Sequence, residues 1–302
     1  MDRFRELATF LAVAEEGAFN AAARRLRASP PAVTRQVTAL EERLGVQLLT
    51  RTTRQVSLTE AGRRLRDDAA RILDALEEAE AAAVGEQAVP SGELSLTAPV
   101  MFGRRFVAPI LRDYLDAHPA VTARALFIDR NVSLQDEGLD VALRIGPLAD
   151  SSMTALRVGT LRRVVVAAPA YLKRRGRPRT PDELRGHRIV FPTGVAEVPT
   201  WIFTKGSRRR TLRLAPALRI DSIEATIDAA LAGWGITRVL SYQVADEIAA
   251  GKLVEILADF EDGSIPVQLL HAEGRHATAK LRSFLDFAAG RLRGEADRML
   301  AR

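Results

Sequence analysis

Nine side chains between residues 29 and 54 carry the most distinctive chemistry of this sequence: Ser29, Pro30, Pro31, Thr34, Arg35 and Thr38, then Arg51, Thr52 and Arg54. The serine, threonines and arginines among them can donate hydrogen bonds, and the arginines supply positive charge, but the set holds no nucleophile–base pair. A guanidinium fits the guanine edge in a major groove, a threonine hydroxyl fits either base edge, and threonine or proline carbons can touch a thymine methyl. Two arginines separated by hydroxyl residues suit phosphates or a narrow minor groove. The pattern points to reading a duplex, not to cutting or transferring anything.

Helical spacing supplies the frame for these residues. Phe4, Leu7, Leu11 and Ala14 recur at helical period, and Gly17 ends that helix. Asn20 is expected to cap a second helix that buries Ala22, Ala23 and Leu26. A turn at Arg27-Ala28-Ser29 leads to a third helix, with Ser29 as N-cap and Pro30 at the first helical position. Val33, Val37, Leu40 and Leu44 form its inner stripe, and Gly45 closes it. Pro31, Thr34, Arg35 and Thr38 then lie on the outer face, the geometry of a helix-turn-helix. Gln47–Leu49 and Gln55–Leu58 read as two short strands, and Thr50–Arg54 as the tip of a wing. The bland alternative is a helical hairpin and an ordinary exposed loop.

A long helix is expected from Thr59 to about Val84. Leu58, Gly62, Leu65, Ala69, Ile72, Leu76, Ala79 and Ala83 alternate gaps of four and three, as in a coiled-coil seam. Leu65, Ala69, Ile72, Leu76 and Ala79 are the candidate dimerisation positions. An amphipathic helix packed on its own domain would show similar spacing.

Charge follows the same division. The 302 residues carry a net +6, but residues 1–66 hold 12 Arg against 7 acids, and residues 67–90 hold one Arg against 7. A basic head followed by an acidic segment suggests a polyanion partner for the head. Only four of the 44 basic residues are Lys, so the arginine bias runs through the chain and says less than position does. Hydrophobic residues make up 47% and charged residues 27%, ordinary for globular domains. Cysteine is absent, which excludes disulfides and thiolate chemistry. The longest apolar stretch, Val164 to Leu172, is about half of a membrane span, and the N-terminus lacks the pattern of a secretion signal.

After a hinge at Val89-Pro90-Ser91-Gly92, strand-like and helix-like runs alternate. Strands are expected at Glu93–Ala98, Val121–Phe127, Leu139–Ile145, Leu161–Ala167, Ala217–Ile220, Gly235–Leu240 and Ile265–Leu270. Helices are expected at Phe106–Ala117, Ser222–Ala232 and Thr278–Leu292. Such alternation implies an α/β body with mostly parallel sheets.

Long motifs in fixed order resemble the LysR-type transcriptional regulators: FLAVAEEGAFNAAARRL, SPPAVTRQVTALEERLGVQLL, RTTRQVSLTEAG, HPAV, EGLDVALRIGPLADSS and APAYL. Leu49 stands where that family usually has Phe, and Thr34 replaces the commoner Ser. Asn131-Val132-Ser133 and Ser241 depart from its usual pattern in the body. The resemblance implies an N-terminal winged helix-turn-helix over residues 1–58 and a linker helix over 59–89. It implies an effector-binding domain over 90–302, built like periplasmic binding proteins from two α/β subdomains (about 91–163 with 267–302, and about 164–266). It further implies a homodimer or homotetramer, a pseudo-palindromic DNA site, a small-molecule effector, and RNA polymerase as a partner to consider; composition and the N-terminus point to a cytoplasmic, soluble protein. The matching effector positions are Pro99, Val100, Met101, Phe102, Gly103, Arg144, Gly146, Thr193, Gly194, Trp201, Asp221 and Thr237. Arg144 and the helix ends could hold an organic anion, and Met101, Phe102 and Trp201 could wall an apolar part.

No catalytic, metal or cofactor pattern competes. His271, Glu273 and His276 share no face, Gly233-Trp234-Gly235 lacks the rest of a dinucleotide fingerprint, and neither a P-loop nor a serine elbow is present. Two rivals remain: an effector-independent DNA binder, and a metabolite-binding protein or enzyme whose helical head serves assembly.

Overall fold

A computed structural model describes residues 2–51, 56–83, 89–130, 132–134, 136–147, 153–193, 198–260, 263–272 and 277–295. The chain divides into two compact units, one built mainly of residues up to 92 and the other mainly of residues from 93 onward.

The head follows α1 (Arg3–Glu16), α2 (Phe19–Arg25), α3 (Pro30–Leu44), β1 (Leu49–Arg51), β2 (Val56–Leu58) and α4 (Glu60–Ala83). Asp2 caps α1, its Oδ1 accepting from the N–H groups of Phe4 and Arg5 at 3.1 and 3.2 Å. Gly17 and Gly45 end α1 and α3 at positive φ, 64° and 68°. Phe10, Val13, Ala22, Ala23, Val33, Val37, Leu40, Leu48 and Leu49 form one buried cluster.

Four local expectations need correction. The buried face of α1 is Glu6, Thr9, Phe10, Ala12 and Val13, and Phe4 is 45% exposed. Polar groups on this inner face are satisfied by α3: Glu6 Oε2 pairs with Arg43 at 2.9 Å, and Thr9 Oγ1 meets Gln36 Oε1. A search for apolar spacing alone could not find it. The N-cap of α2 is Ala18, not Asn20. Leu26 and Leu44, at the ends of their helices, are exposed. Ser29 occupies the N-cap of α3 in extended conformation, but its side chain makes no capping bond.

Two contacts fix the wing against the helices. Glu41 Oε1 accepts from the N–H groups of Leu48 and Leu49 at 2.8 and 3.0 Å. Thr59 Oγ1 accepts from Gly62 N–H at 3.0 Å and caps α4. Gly62 lies so close to β1 that an added Cβ would stand 2.0 Å from the Leu48 carbonyl oxygen. Leu65 packs on the head's own cluster, and Ala69 is fully buried within one chain. The first part of the expected seam is therefore used internally. Farther along, Ile72 is 44% exposed, Leu76 half-buried and Ala79 exposed.

The body begins with β3 (Gly92–Ala98), α5 (Val100–Phe102), a single π turn over Gly103–Val107, α6 (Ala108–Ala117), β4 (Val121–Phe127), β5 (Val141–Ile145) and β6 (Thr154–Leu161). It continues through β7 (Arg163–Ala167), α7 (Pro169–Arg175), β8 (Val190–Pro192), β9 (Thr200–Lys205), β10 (Arg208–Arg213), β11 (Leu218–Ile220), α8 (Ile223–Leu231) and β12 (Thr237–Leu240). Last come α9 (Ala245–Ala249), β13 (Val254–Ile256), β14 (Ile265–His271) and α10 (Ala279–Gly294).

A first lobe holds a five-stranded sheet of order β4-β3-β5-β14-β6, and a second lobe holds β12-β7-β13, the pair β11-β8 and the hairpin β9-β10. The expectation of mostly parallel sheets is corrected. β3–β5 and β8–β11 are parallel, whereas β14 runs antiparallel to β5 and β6, and β7 runs antiparallel to β12 and β13. The chain passes from one lobe to the other and returns, so its connecting strands enter each sheet against the local direction.

The expected strand Leu161–Ala167 is likewise two strands broken at Arg162. That guanidinium holds Glu255 by two hydrogen bonds, at 2.6 and 2.9 Å. Val165 and Ala167 of β7 face one core of the second lobe, with Tyr171, Leu184, Trp201, Phe203 and Leu212. Val164 and Val166 face the other, with Ile223, Ile227 and Ala230 of α8.

Candidate nucleic-acid interface and ligand cavity

Val33, Val37 and Leu40 anchor α3 in the head core and turn its opposite face outward. That face is a shallow groove lined by Pro30, Pro31, Thr34, Arg35, Thr38, Ala39 and Glu42. Arg35 is exposed and has no protein partner among the described residues. Thr34 and Thr38 are half-buried, and Thr34 Oγ1 donates to the Pro30 carbonyl at 3.0 Å. The outward side chains are therefore an uncommitted guanidinium between two threonines, on a helix whose inner face is locked. Glu42 at the end of this groove was not foreseen; at helical spacing it follows directly from Thr34 and Thr38.

β1 and β2 pair antiparallel, with Leu49 opposite Leu58 and Arg51 opposite Val56. The expected wing tip, including Thr52 and Arg54, and the Arg51 side chain lie outside the described residues. Arg63, one turn into α4, is exposed and donates to the Leu58 carbonyl at 3.0 Å.

In the body a cavity of about 380 Å³ opens between the two lobes, a volume suited to a small organic ligand. The first lobe supplies Pro99, Asp129, Arg144 and Ile145, and the second supplies Trp201, Arg163, Arg238 and Tyr242 among others. Several lie at carboxyl ends of strands: Pro99 follows β3, Asp129 follows β4, and Arg144 and Ile145 end β5. Ligands in open α/β sheets gather at such ends.

Burial lowers the pKa of the Arg144 guanidinium. Its Nη2 donates to the Val132 carbonyl at 3.3 Å, and no carboxylate among the described residues pairs with it. Burial also raises the pKa of the Asp129 carboxyl, opposed by the Val100 N–H donating to its Oδ1 at 3.0 Å. Tyr242, most of it buried, has its hydroxyl pKa pushed up by the same desolvation. The Arg238 guanidinium stacks over Phe203 at 5.0 Å. The wall thus combines guanidiniums with Trp201 and one carboxyl.

Of the expected effector positions, Pro99, Arg144 and Trp201 reach this wall. Phe102 does not: it is fully buried against Phe106 and Tyr242, with ring centroids 4.7 and 5.4 Å away. Met101 packs half-buried against the α8 core. Val100 takes part through its N–H on Asp129. Gly103 answers to packing, because a Cβ there would stand 2.5 Å from the Phe127 ring.

Gly146 turns the chain at φ 129°, and its N–H bonds the Pro266 carbonyl. Thr193 bonds through its N–H to Ile220, Thr237 is wholly buried, and Asp221 is exposed, all three off the wall. Gly194 lies outside the described residues. Asp129, Arg163, Arg238 and Tyr242 escaped sequence reasoning. The one available signal was position: each is at or beside a strand end.

Among the described residues, no helix is long and apolar enough to cross a membrane, and no cluster could hold a metal ion.

Residues 4–63 match the model of the bacterial regulatory helix-turn-helix protein, lysR family, and residues 87–293 match the LysR substrate binding domain. An HTH-type transcriptional regulator of Xanthomonas campestris pv. campestris is 34% identical over 296 residues, covering 97% of this chain and 86% of the relative. CrgA, an HTH-type transcriptional regulator of Neisseria meningitidis, is 33% identical over 283 residues, covering 93% and 94%. The solved structure of CrgA aligns with TM-score 0.60 at 32% identity, over 95% of this chain and 98% of that one. Full-length AphB, a Vibrio cholerae virulence activator, aligns with TM-score 0.61 at 25% identity over the same shares.

Proposed function

Because this chain belongs to the LysR family of bacterial transcriptional regulators, DNA-binding proteins with an effector-binding domain, we propose which of its residues read DNA and what its cavity senses. Residues 1–58 read the duplex, 59–89 pair two chains, and 90–302 bind the effector. The α3 groove enters the major groove, with Arg35 on a guanine edge and Thr34 and Thr38 on neighbouring bases; Ser29, Pro30 and Pro31 lie at its entry. The observation that carries this reading is the exposed Arg35, without a partner among the described residues, on a helix whose other face is buried through Val33, Val37 and Leu40. Arg51, Thr52 and Arg54 of the wing approach the backbone.

A single head reads few base pairs. Two heads joined through Ile72, Leu76 and Ala79 gain affinity by effective concentration and require a two-fold related site. Homotetramers and contact with RNA polymerase extend the same reading, in the cytoplasm. It assigns no catalytic step. Selection from random DNA tests it: two half-sites related by a dyad are expected to enrich, and no enrichment would refute it.

The effector is a small organic anion, held by Arg144 and stacked near Trp201. Its binding changes lobe closure, and by linkage it changes operator affinity by the same factor that the operator changes its own. Arg144→Gln removes a charged hydrogen-bond donor and is expected to weaken binding roughly ten- to a hundredfold. Asp129→Asn keeps the bond from Val100 but removes a negative charge, so binding strengthens several-fold. Thermal-shift titration of both variants against organic acids and amines reads these opposite signs. Response to amines alone contradicts an anionic effector.

A further inference from the structure

One charged surface has no part in the reading above. Residues 169–213 contain twelve Lys and Arg against three carboxylates. All twelve basic side chains are exposed. They belong to α7, the 3-10 segment Pro181–Gly186, the hairpin β9-β10 and their connections. These elements form one layer, because Tyr171, Leu184, Trp201, Phe203 and Leu212 all pack into the core on one face of the β12-β7-β13 sheet.

The layer on the other face is opposite in sign. Residues 221–252 carry five carboxylates and two basic residues, and one of those two, Arg238, is 8% exposed in the cavity wall. The second lobe is therefore polarised across its sheet.

Little in the protein neutralises the basic layer. Among the described residues Arg210 pairs with Asp182 at 2.5 Å, Arg179 lies beside the Glu183 carboxylate, which accepts from its N–H at 2.9 Å, and the other ten have no carboxylate partner. Lys205 and Arg208 face each other directly across the hairpin, a like-charge pairing that costs stability. Protein partners need apolar anchors at the centre of an interface. Among the described residues of this stretch, the one large hydrophobic residue exposed is Val198. A broad surface of charge without anchors fits a polyanion whose charge is spread along its length.

We propose that this face of the second lobe is a second DNA contact, which binds phosphates of the duplex flanking the operator without reading sequence. The proposal rests on the head holding DNA, which places the duplex at high effective concentration for the tethered body. Phosphate contacts position a protein and carry no sequence information.

The test uses the full chain and an operator recovered by selection, as a short duplex and as a duplex extended on both sides. Arg208→Glu with Arg209→Glu on β10, and Lys173→Glu with Arg175→Glu on α7, form two independent variants away from the cavity wall. On the extended duplex each removes two phosphate contacts from each of two chains and is expected to lower the slope of log affinity against log salt by about 3.6. On the short duplex neither changes it, and charge-conserving Arg208→Lys with Arg209→Lys keeps the wild-type slope. Unchanged slopes on the extended duplex, with site preference intact, overturn this surface alone. Unchanged DNA binding together with lost transcription by purified RNA polymerase overturns it in favour of a protein partner. A wild-type chain that selects no site overturns the function reading, and this surface with it.

Discussion

Raising salt from about 50 to about 200 mM is expected to weaken binding to a short operator duplex about two-thousand-fold. Arg51, Arg54 and Arg63 give each head three cations for phosphates, so two heads give six, while Arg35 lies on a base edge. Each neutralised phosphate releases counterions and adds about 0.9 to the slope of log affinity against log salt, for a slope of about 5. The acidic residues of α4 from Asp67 to Glu80 add no phosphate contact. Fluorescence anisotropy over a salt series reads the slope. A value below about 3 would mean that the head grips DNA through neutral hydrogen bonds, contrary to the arrangement proposed for α3 and the wing.

Gly62→Ala is expected to destabilise the head by about 3 kcal/mol. The sign is the diagnostic part, since the same change in an open helix stabilises by about 1 kcal/mol. Here the new Cβ would stand 2.0 Å from the Leu48 carbonyl oxygen and 3.0 Å from Leu58 Cδ2. The carbonyl cannot swing away cheaply, because it also accepts from the N–H of Thr59 at 2.9 Å. Relief requires α4 to part from β1, which loosens the wing. Thermal unfolding should show the head's transition falling by roughly 15 °C, and operator affinity should fall with it. An unchanged or higher transition would show that α4 does not approach β1 this closely.

The head was legible because its signals are local. Gly17 and Gly45 stop α1 and α3 where left-handed backbone is needed, Pro30 starts α3, and Val33, Val37 and Leu40 point one way. What escaped depends on partners distant in sequence. Glu6 lies buried because Arg43, 37 residues on, meets it. That pair rotates the inner face of α1 away from the stripe that apolar spacing suggested. Gly62 looked like a seam position, and its close contact with Leu48 is invisible without the wing in place.

The body was less legible in its sheets than in its elements. β4 matches its expected range, but the pairing partners of β14 are set by the return of the chain from the second lobe. The cavity was legible only in part for the same reason. Arg144 and Trp201 were found by position, whereas Asp129, Arg163, Arg238 and Tyr242 meet only when both lobes are folded. Phe102, Met101 and Gly103 share the right neighbourhood in sequence but are used for packing.

The most direct test of the central claim is selection from random DNA by the full chain and by its Arg35→Ala variant. The account predicts a dyad-related pair of half-sites for the wild type. It predicts loss of preference at one base position in each half-site for the variant, a discrimination of about 1–3 kcal/mol. Equal weakening for every sequence, with the preference intact at all positions, would place Arg35 on phosphate and contradict base reading by the outer face of α3.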